Sequence, residues 1–329
     1  DLATREVEQL TSGTGWSGMA SVSAEDRLVY SWGPMHDTFL YVVDVESGER
    51  EQLTSHSLDN GGARFSPDGR SIAYHSTRTG NSEIWLHHPD GRPATRVTDD
   101  ESWDLYPDWS PDGKQLIFVS DREEHRFKIF MANSDGGATR RLIDQAISVR
   151  TTWAPVNGEL VSRWSPDGDR IAYLLTGEEG IALWTIRMDG GDARKLLENV
   201  TGFDWYRDSR HGIYTRAHGS QSEMIVVDLK TGKERVLFVG AFLEMDVAPD
   251  GSAVSFCSGR GHMGMGLAVL ELQPPSDPDG LPPAVGEPEF VVRTEGTWHV
   301  HNGGWSPDSK SLVYTQDKDH GDIYELVRR

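Results

Sequence analysis

The sequence is poor in cysteine, in basic residues and in long apolar runs, and each shortage excludes a class of protein. Its single cysteine, Cys257, allows no internal disulfide, which leaves the redox compartment open. Lys and Arg number 32 against 52 Asp and Glu, for a net charge of −20, so binding to a nucleic-acid backbone is not expected. No apolar run approaches the roughly 20 residues of a membrane-spanning helix, so we expect no membrane span.

Motifs of two common catalytic folds are also missing. The sequence contains no Gly-x-Ser-x-Gly elbow, which α/β-hydrolases use to present a nucleophilic serine. The glycine-rich residues 261–266 do not lie between a strand and a helix, as a nucleotide-binding loop would. No long segment keeps a period of 3.6 residues, so the sequence predicts an all-β fold.

A five-residue turn motif recurs along the chain. Its clearest copy is Trp109-Ser110-Pro111-Asp112-Gly113. Proline presets φ, aspartate bonds its own backbone and glycine accepts a positive φ, so the motif predicts a tight turn between two strands. The other copies, some of them degenerate, begin at Val22, Phe65, Trp164, Trp205, Val247 and Trp305.

The strands around these turns form repeating units. Each turn joins two apolar strands, a third strand follows, and six of the units continue into a fourth strand, at intervals of about 40 residues. The N-terminal stretch Glu6–Ser12 nearly repeats Glu49–Ser55, which is one of the fourth strands. We therefore predict a single domain over residues 1–329, an all-β seven-bladed propeller with four-stranded blades, closed by the N-terminal strand joining the C-terminal blade.

The Trp-Ser-Pro-Asp-Gly repeat resembles that of the TolB-type β-propellers, which are relatives of the WD40 repeats. The resemblance covers the whole chain and implies a propeller fold. It implies no activity, because these turns build blades and carry no chemistry of their own.

Charged residues recur two positions before the serine of the turn. Arginine and aspartate alternate there, which predicts ion pairs between neighbouring blades, since a charge packed there without a partner would be costly. These residues are Arg64, Asp108, Arg163, Asp204 and Asp246.

Propeller geometry predicts which loops bind ligands. The loops between second and third strands share one face with the connections between blades, around the mouth of the channel, where ligands usually bind. Tryptophans on this face could stack on sugar rings, or they could cap the core. The candidate ligand-binding residues are Trp16, His36, Trp103, Arg260, Trp298 and His320.

Histidines are enriched on the same face, and two of them suggest a metal site. His299 and His301 are two residues apart, so in extended chain both imidazoles point to the same side. Such a pair is half of a site for a divalent ion such as Mn, Zn, Ni or Ca, and His218 and His262 could supply further ligands. A solvated pair that binds no metal is the alternative.

The same pair resembles a feature of the oligogalacturonate lyases, which are seven-bladed propellers with a similar repeat. In that family a His-x-His pair before the last Pro-Asp turn holds a manganese-type ion, and His299 and His301 match it. His218 matches a region that contributes a further histidine there. The resemblance implies a metal-dependent lyase acting on uronate-containing oligosaccharides.

Two functions therefore remain open. The sequence favours a binding module that takes a glycan or a protein at the channel mouth, and the metal-dependent lyase is the alternative, with its catalytic residues unknown. We expect a monomer that is periplasmic or secreted, with a cytoplasmic location left open.

Overall fold

A computed structural model describes most of the chain. The described residues are 7–9, 16–24, 27–33, 39–44, 50–54, 60–147, 162–177, 180–260, 263–277, 280–293, 299–317 and 321–327. They contain strands and turns but no helix, and accordingly none of them forms a helix able to cross a membrane.

The Ser-Pro-Asp-Gly turns fold as their residue types predict. Ser110 Oγ donates to Asp112 Oδ1 at 2.6 Å, and the same Oδ1 accepts the backbone N–H of Lys114 at 3.1 Å. Gly113 adopts φ +70°, a conformation that glycine reaches without strain. The serine bond is the main reason that the pKa of Asp112 is lowered. Serine–aspartate bonds of 2.6–2.7 Å recur at Ser66–Asp68, Ser165–Asp167 and Ser306–Asp308.

The chain forms two compact units. Unit 1 comprises Asp1–Ser12, Gly177–Leu183 and Leu196–Arg329, and unit 2 comprises Gly13–Thr176 and Trp184–Lys195.

Unit 2 contains three blades, each an antiparallel sheet of four strands in chain order. The strands are β2 (Trp16–Val22), β3 (Arg27–Gly33), β4 (Phe39–Asp44) and β5 (Arg50–Gln52); β6 (Asn60–Phe65), β7 (Ile72–Ser76), β8 (Glu83–His87) and β9 (Thr95–Arg96); β10 (Asp104–Trp109), β11 (Gln115–Ser120), β12 (Lys128–Asn133) and β13 (Arg140–Arg141).

Unit 1 also contains three four-stranded blades. The strands are β18 (Val200–Trp205), β19 (His211–His218), β20 (Gln221–Asp228) and β21 (Glu234–Gly240); β22 (Phe242–Val247), β23 (Ala253–Arg260), β24 (Met263–Leu272) and β25 (Ala284–Arg293); β26 (His299–Trp305), β27 (Ser311–Asp317), β28 (Gly321–Val327) and β1 (Val7–Gln9).

The remaining strands correct the predicted blade count. They are β14 (Ser162–Trp164), β15 (Arg170–Gly177), β16 (Gly180–Arg187) and β17 (Arg194–Glu198), ordered as one sheet. The boundary between the two units runs through them, so this sheet is a whole blade of neither unit. In the described part of the chain, the expected seven equivalent blades are thus corrected to six whole blades, three in each unit. The physical reason is that Gly177 of β15, residues 180–183 of β16 and residues 196–198 of β17 belong to unit 1, while the other residues of the sheet belong to unit 2. The expectation of a single domain stays a prediction.

The N-terminal strand joins the C-terminal blade, as the internal repeat predicted. Strand β1 pairs antiparallel with β28, with Val7 opposite Leu326 and Gln9 opposite Tyr324. This pairing lies within unit 1 and completes the blade that begins with β26.

Buried apolar side chains hold neighbouring blades together within each unit. In unit 2, Ile84 and Leu86 of one blade pack in a cluster with Leu116 and Phe118 of the next. Burying a side chain of this size stabilises the fold by about 1.5–3 kcal/mol. Clusters of the same kind in unit 1 contain Ile213, Val226, Phe256 and Leu270, and Ala253, Leu267, Trp305 and Leu312.

The first strand of each of the six whole blades carries a bulge in its register. In β10 the shift lies between Leu105 and Asp108, and Tyr106 within it adopts φ +53°. In β22 Glu244 adopts φ +51° at the equivalent shift. Bulges redirect side chains, and they are common beside binding sites. The other four lie in β2, β6, β18 and β26.

Candidate functional site

The structure places the sequence-predicted ligand residues unevenly. Trp103 and His218 have described side chains. His36, His262, Trp298 and His320 lie outside the described residues, and for Trp16, Arg260, His299 and His301 only the backbone strand is described, in β2, β23 and β26.

Trp103 lies in the connection between β9 and β10, here called the Trp103 loop (residues 97–103). It is 47% exposed, which is high for a large apolar side chain. Its backbone N–H donates to Asp121 Oδ1 at 2.8 Å, and Asp121 follows β11 in the turn toward β12. The indole is therefore presented to solvent from a backbone that is tied to the neighbouring turn.

The Trp103 loop contains polar groups that are hydrogen-bonded to one another. Ser102 donates to Asp100 Oδ1 from its hydroxyl at 2.7 Å and from its backbone N–H at 3.0 Å. The hydroxyl bond is the largest cause of the lowered pKa of Asp100, so this carboxylate is ionised at neutral pH. Asp100 thus lies three residues before Trp103 in the same loop, and the Asp121 carboxylate is bonded to the Trp103 backbone.

The buried carboxylate of Glu83 forms hydrogen bonds that hold the Trp103 loop in place. Glu83 has no exposed side-chain surface, and its Oε1 accepts the backbone N–H of Asp100 at 2.9 Å and a guanidinium N–H of Arg96 at 2.7 Å. Asn81 Nδ2 donates to the backbone oxygen of Ser102 at 2.7 Å. The loop is therefore held by charge-assisted bonds, which are stronger than neutral ones.

A second buried ion pair fixes the strand that follows. Arg122 Nη2 donates to Asp104 Oδ1 and Oδ2 at 3.0 and 2.8 Å, and Asp104 is fully buried. Burial raises the pKa of Asp104, and Arg122 opposes that shift. The Arg122 guanidinium also stacks on the Phe130 ring at 4.8 Å. These contacts position the turn that carries Asp121.

This arrangement can bind a polar ligand with an apolar face. An exposed indole offers a flat surface for stacking, and the neighbouring carboxylates accept hydrogen bonds from hydroxyl groups. Sequence reasoning found Trp103 but missed Asp100, Ser102 and Asp121. Their signal, several polar residues in two successive connections, is too common in loops to single them out.

His218 is engaged elsewhere. Its Nδ1 lies 3.1 Å from Glu223 Oε1, while Arg216 Nη2 donates to Glu223 Oε2 at 2.7 Å. Glu223 thus pairs with both a histidine and an arginine at the end of the β19–β20 hairpin.

Of the four predicted metal ligands, only His218 has a described side chain. No group of three or more His, Cys, Asp or Glu side chains that could hold one occurs in the described ranges. The assignment of His299, His301, His218 and His262 as ligands stays a prediction.

Part of the chain matches the model of a known protein family. Residues 17–162 match the model of a family described as the TolB beta propeller domain. This match confirms the TolB-type resemblance predicted from the turn motif over that part of the chain, which is less than half of it.

Two curated relatives are similar to part of this chain. An uncharacterized protein of Agrobacterium fabrum is 35% identical over 142 residues, which are 41% of this chain and 46% of that protein. An uncharacterized peptidase of Bacillus subtilis is 27% identical over 180 residues, which are 53% of this chain and 25% of that protein. The matches span less than half the length of either relative.

A solved structure is similar over nearly the whole chain. An oligogalacturonate lyase in complex with manganese has a TM-score of 0.74, covering 98% of this chain and 93% of that one. At 16% sequence identity the likeness shows the fold alone.

Proposed function

We propose that this TolB-like β-propeller is a binding module whose Trp103 loop takes a glycan. The observation that carries the proposal is the 47% exposed indole of Trp103, held by the backbone bond to Asp121. Because the backbone of Trp103 is already fixed, binding costs less conformational entropy, which favours affinity.

Charge and hydrogen-bonding groups support a sugar ligand. Asp100 in the loop and Asp121, which accepts the backbone N–H of Trp103, provide carboxylate oxygens, and sugar hydroxyls are donors that match them. The proposal includes a periplasmic or secreted location, which fits the TolB family match. A protein ligand on the same surface is the competing outcome of the test.

A glycan array carrying neutral and uronate-containing oligosaccharides tests this proposal, followed by calorimetry with the glycans that bind. Trp103→Ala should weaken binding roughly tenfold or more, because the packing of a sugar ring on the indole is lost, while Trp103→Phe should retain part of it. Met188→Ala removes another exposed apolar side chain of unit 2 and is the matched control, expected to bind normally. Binding that survives Trp103→Ala, or an array without any bound glycan, would overturn the proposal.

A metal-dependent lyase is the second candidate. It is favoured by the spacing of His299 and His301, which are two residues apart in β26, just before the register shift that follows His301. The structurally similar lyase was solved with manganese, and its name gives the substrate to try. Incubation with oligogalacturonate and Mn²⁺ should then yield an unsaturated product, and His299→Ala should abolish it. No product, together with no thermal shift from Mn, Zn, Ni or Ca, would leave the binding module as the only proposal.

A further inference from the structure

Two neighbouring blades of unit 2 carry the same Ser-x-Arg element at the end of their second strand. In the β6–β9 blade the backbone N–H of Arg78 donates to Ser76 Oγ at 3.3 Å, and in the β10–β13 blade that of Arg122 donates to Ser120 Oγ at 3.3 Å. Each guanidinium stacks on an aromatic ring of the third strand, that of Arg78 on Trp85 at 4.3 Å and that of Arg122 on Phe130 at 4.8 Å. The two arginine side chains therefore have the same orientation within their blades.

Arg122 is neutralised within its own blade. It donates to both carboxylate oxygens of Asp104, and its Nη1 donates to Thr139 Oγ1 at 2.6 Å and lies 3.8 Å from Asp100 Oδ2. The charge of this arginine is balanced, and its donors are used.

The pairing of the first and second strands shows which residue of the β6–β9 blade corresponds to Asp104. Asp104 pairs across the sheet with Ser120, and in the other blade Asn60 pairs with Ser76. An amide therefore replaces the carboxylate.

The β6–β9 blade also lacks a hydroxyl that corresponds to the Thr139 acceptor of Arg122. Arg141 pairs with Phe130, and Arg96 pairs with Trp85, so the two outer strands are in equivalent register. Thr139 stands two residues before Arg141, and the residue two before Arg96 is Ala94. A methyl group thus replaces the hydroxyl.

Among the residues that the structure describes, Arg78 contacts only neutral groups. It contacts the Ser76 hydroxyl, the Tyr74 hydroxyl and the rings of Tyr74 and Trp85. Within the described ranges no carboxylate lies at ion-pair distance from it, and burial lowers its pKa. Two of the five N–H donors of a guanidinium are then used, and the others point to no described acceptor. A half-buried charge without a counterion is costly, so an external partner would stabilise it.

We propose that Arg78 is an anion-binding site of unit 2, which takes the carboxylate or phosphate group of a ligand. Guanidinium binds both groups through paired N–H donors, and Trp85 and Tyr74 hold its plane in one orientation. The site lies beside the Trp103 loop, because Asn81 of the same β7–β8 turn bonds the backbone of Ser102. It does not depend on the glycan proposal, since it rests on the difference between Arg78 and Arg122.

Thermal unfolding with added anions tests the site. Sodium phosphate and sodium citrate are titrated against sodium chloride at equal ionic strength, and we expect at least one of them to raise the melting temperature saturably. A response to phosphate alone identifies a phosphate-bearing ligand, and a response to citrate alone identifies a carboxylate-bearing one. Arg78→Gln should raise the Kd of that anion roughly tenfold or more, because charge-assisted hydrogen bonds are lost.

Arg122→Gln is the matched control. It breaks a buried ion pair and should lower the melting temperature, yet it should keep the anion-dependent rise. Asn60→Asp restores the carboxylate that the β10–β13 blade has, so it should remove the response to both anions by supplying the partner internally. No saturable rise with either anion, or a rise that persists in Arg78→Gln, would overturn the proposal.

Discussion

The carboxylate of Asp204 joins two blades of unit 1, since its Oδ2 accepts the backbone N–H of Val247 at 2.9 Å. The relation repeats in the next blade, where Asp246 Oδ2 accepts the backbone N–H of Trp305 at 3.0 Å. An aspartate two residues before the turn serine position thus binds the strand of the following blade. The sequence pattern predicted ion pairs at these positions, and the structure adds bonds to backbone groups.

Asp108 is the equivalent residue of unit 2, and it interacts both with a backbone N–H group and with arginines. Asp108 accepts the backbone N–H of Trp164 and lies in the field of Arg64 and Arg163. Burial nevertheless raises the pKa of Asp108, and the two arginines only oppose that shift. A half-buried carboxylate between two cations is the arrangement that the alternation of Arg and Asp predicted.

Asp204→Ala should destabilise the protein by about 1–3 kcal/mol. The change leaves the N–H of the buried Val247 without its acceptor, and an unsatisfied buried donor costs roughly that much. Urea unfolding followed by circular dichroism measures the difference. Asp135→Ala, in an exposed turn, is the control and should unfold like the original protein. Equal midpoints for the two variants would show that the bond to Val247 contributes nothing.

Asp112→Ala should destabilise by about 1 kcal/mol without changing glycan binding at Trp103. It removes the acceptor of Ser110 Oγ and of the Lys114 N–H in an exposed turn, and neutral local bonds of this kind contribute about that much. Asp112→Asn keeps one side-chain oxygen and should lose less. Thermal melting and the glycan calorimetry are run together on each variant. Lost binding with unchanged stability would instead move the functional surface to the turns.

The stabilisation from Asp228 should depend on pH. Arg210 Nη2 donates to its Oδ2 at 2.7 Å, the side chain is 1% exposed, and that bond is the main reason that its pKa lies far below the usual range. A carboxyl whose pKa is lowered on folding stabilises the protein above its unfolded pKa of roughly 3.9, and this contribution is lost as the pH falls further. Urea unfolding of the original protein and of Asp228→Asn should differ most at pH 7 and progressively less below about pH 4. A gap that stays constant down to pH 2.5 would contradict this linkage.

The local parts of the fold were predictable from sequence because short-range chemistry determines them. The Ser110–Asp112 turn needs only its own five residues, and the pairing of β1 with β28 follows from an internal repeat. The count of whole blades was not predictable in the same way. It depends on which residues of β15, β16 and β17 pack with each unit, and no local pattern encodes contacts between residues that are distant in the chain.

The candidate site was predictable only in its most conspicuous residue. Trp103 stands out as a large apolar residue in a connection, but its partner Asp121 is 18 residues away in another turn. The buried Glu83 below the loop lies in a strand, where its sequence context gives no sign of a polar role. The isolation of Arg78 becomes visible only when the registers of two blades place Asn60 where the other blade has an aspartate.

Removal of β1 should destabilise unit 1. A variant lacking residues 1–9 loses the three residue pairs that join β1 to β28, and backbone hydrogen bonds of about 1 kcal/mol each suggest a loss of roughly 2–3 kcal/mol. It also leaves β28 as an edge strand, which favours association between molecules. A variant lacking only residues 1–6 keeps Val7–Gln9 and is the matched control. Differential scanning calorimetry and light scattering should show a lower melting temperature and more aggregation for the longer deletion alone. If both deletions melt at the same temperature, β1 does not stabilise the C-terminal blade.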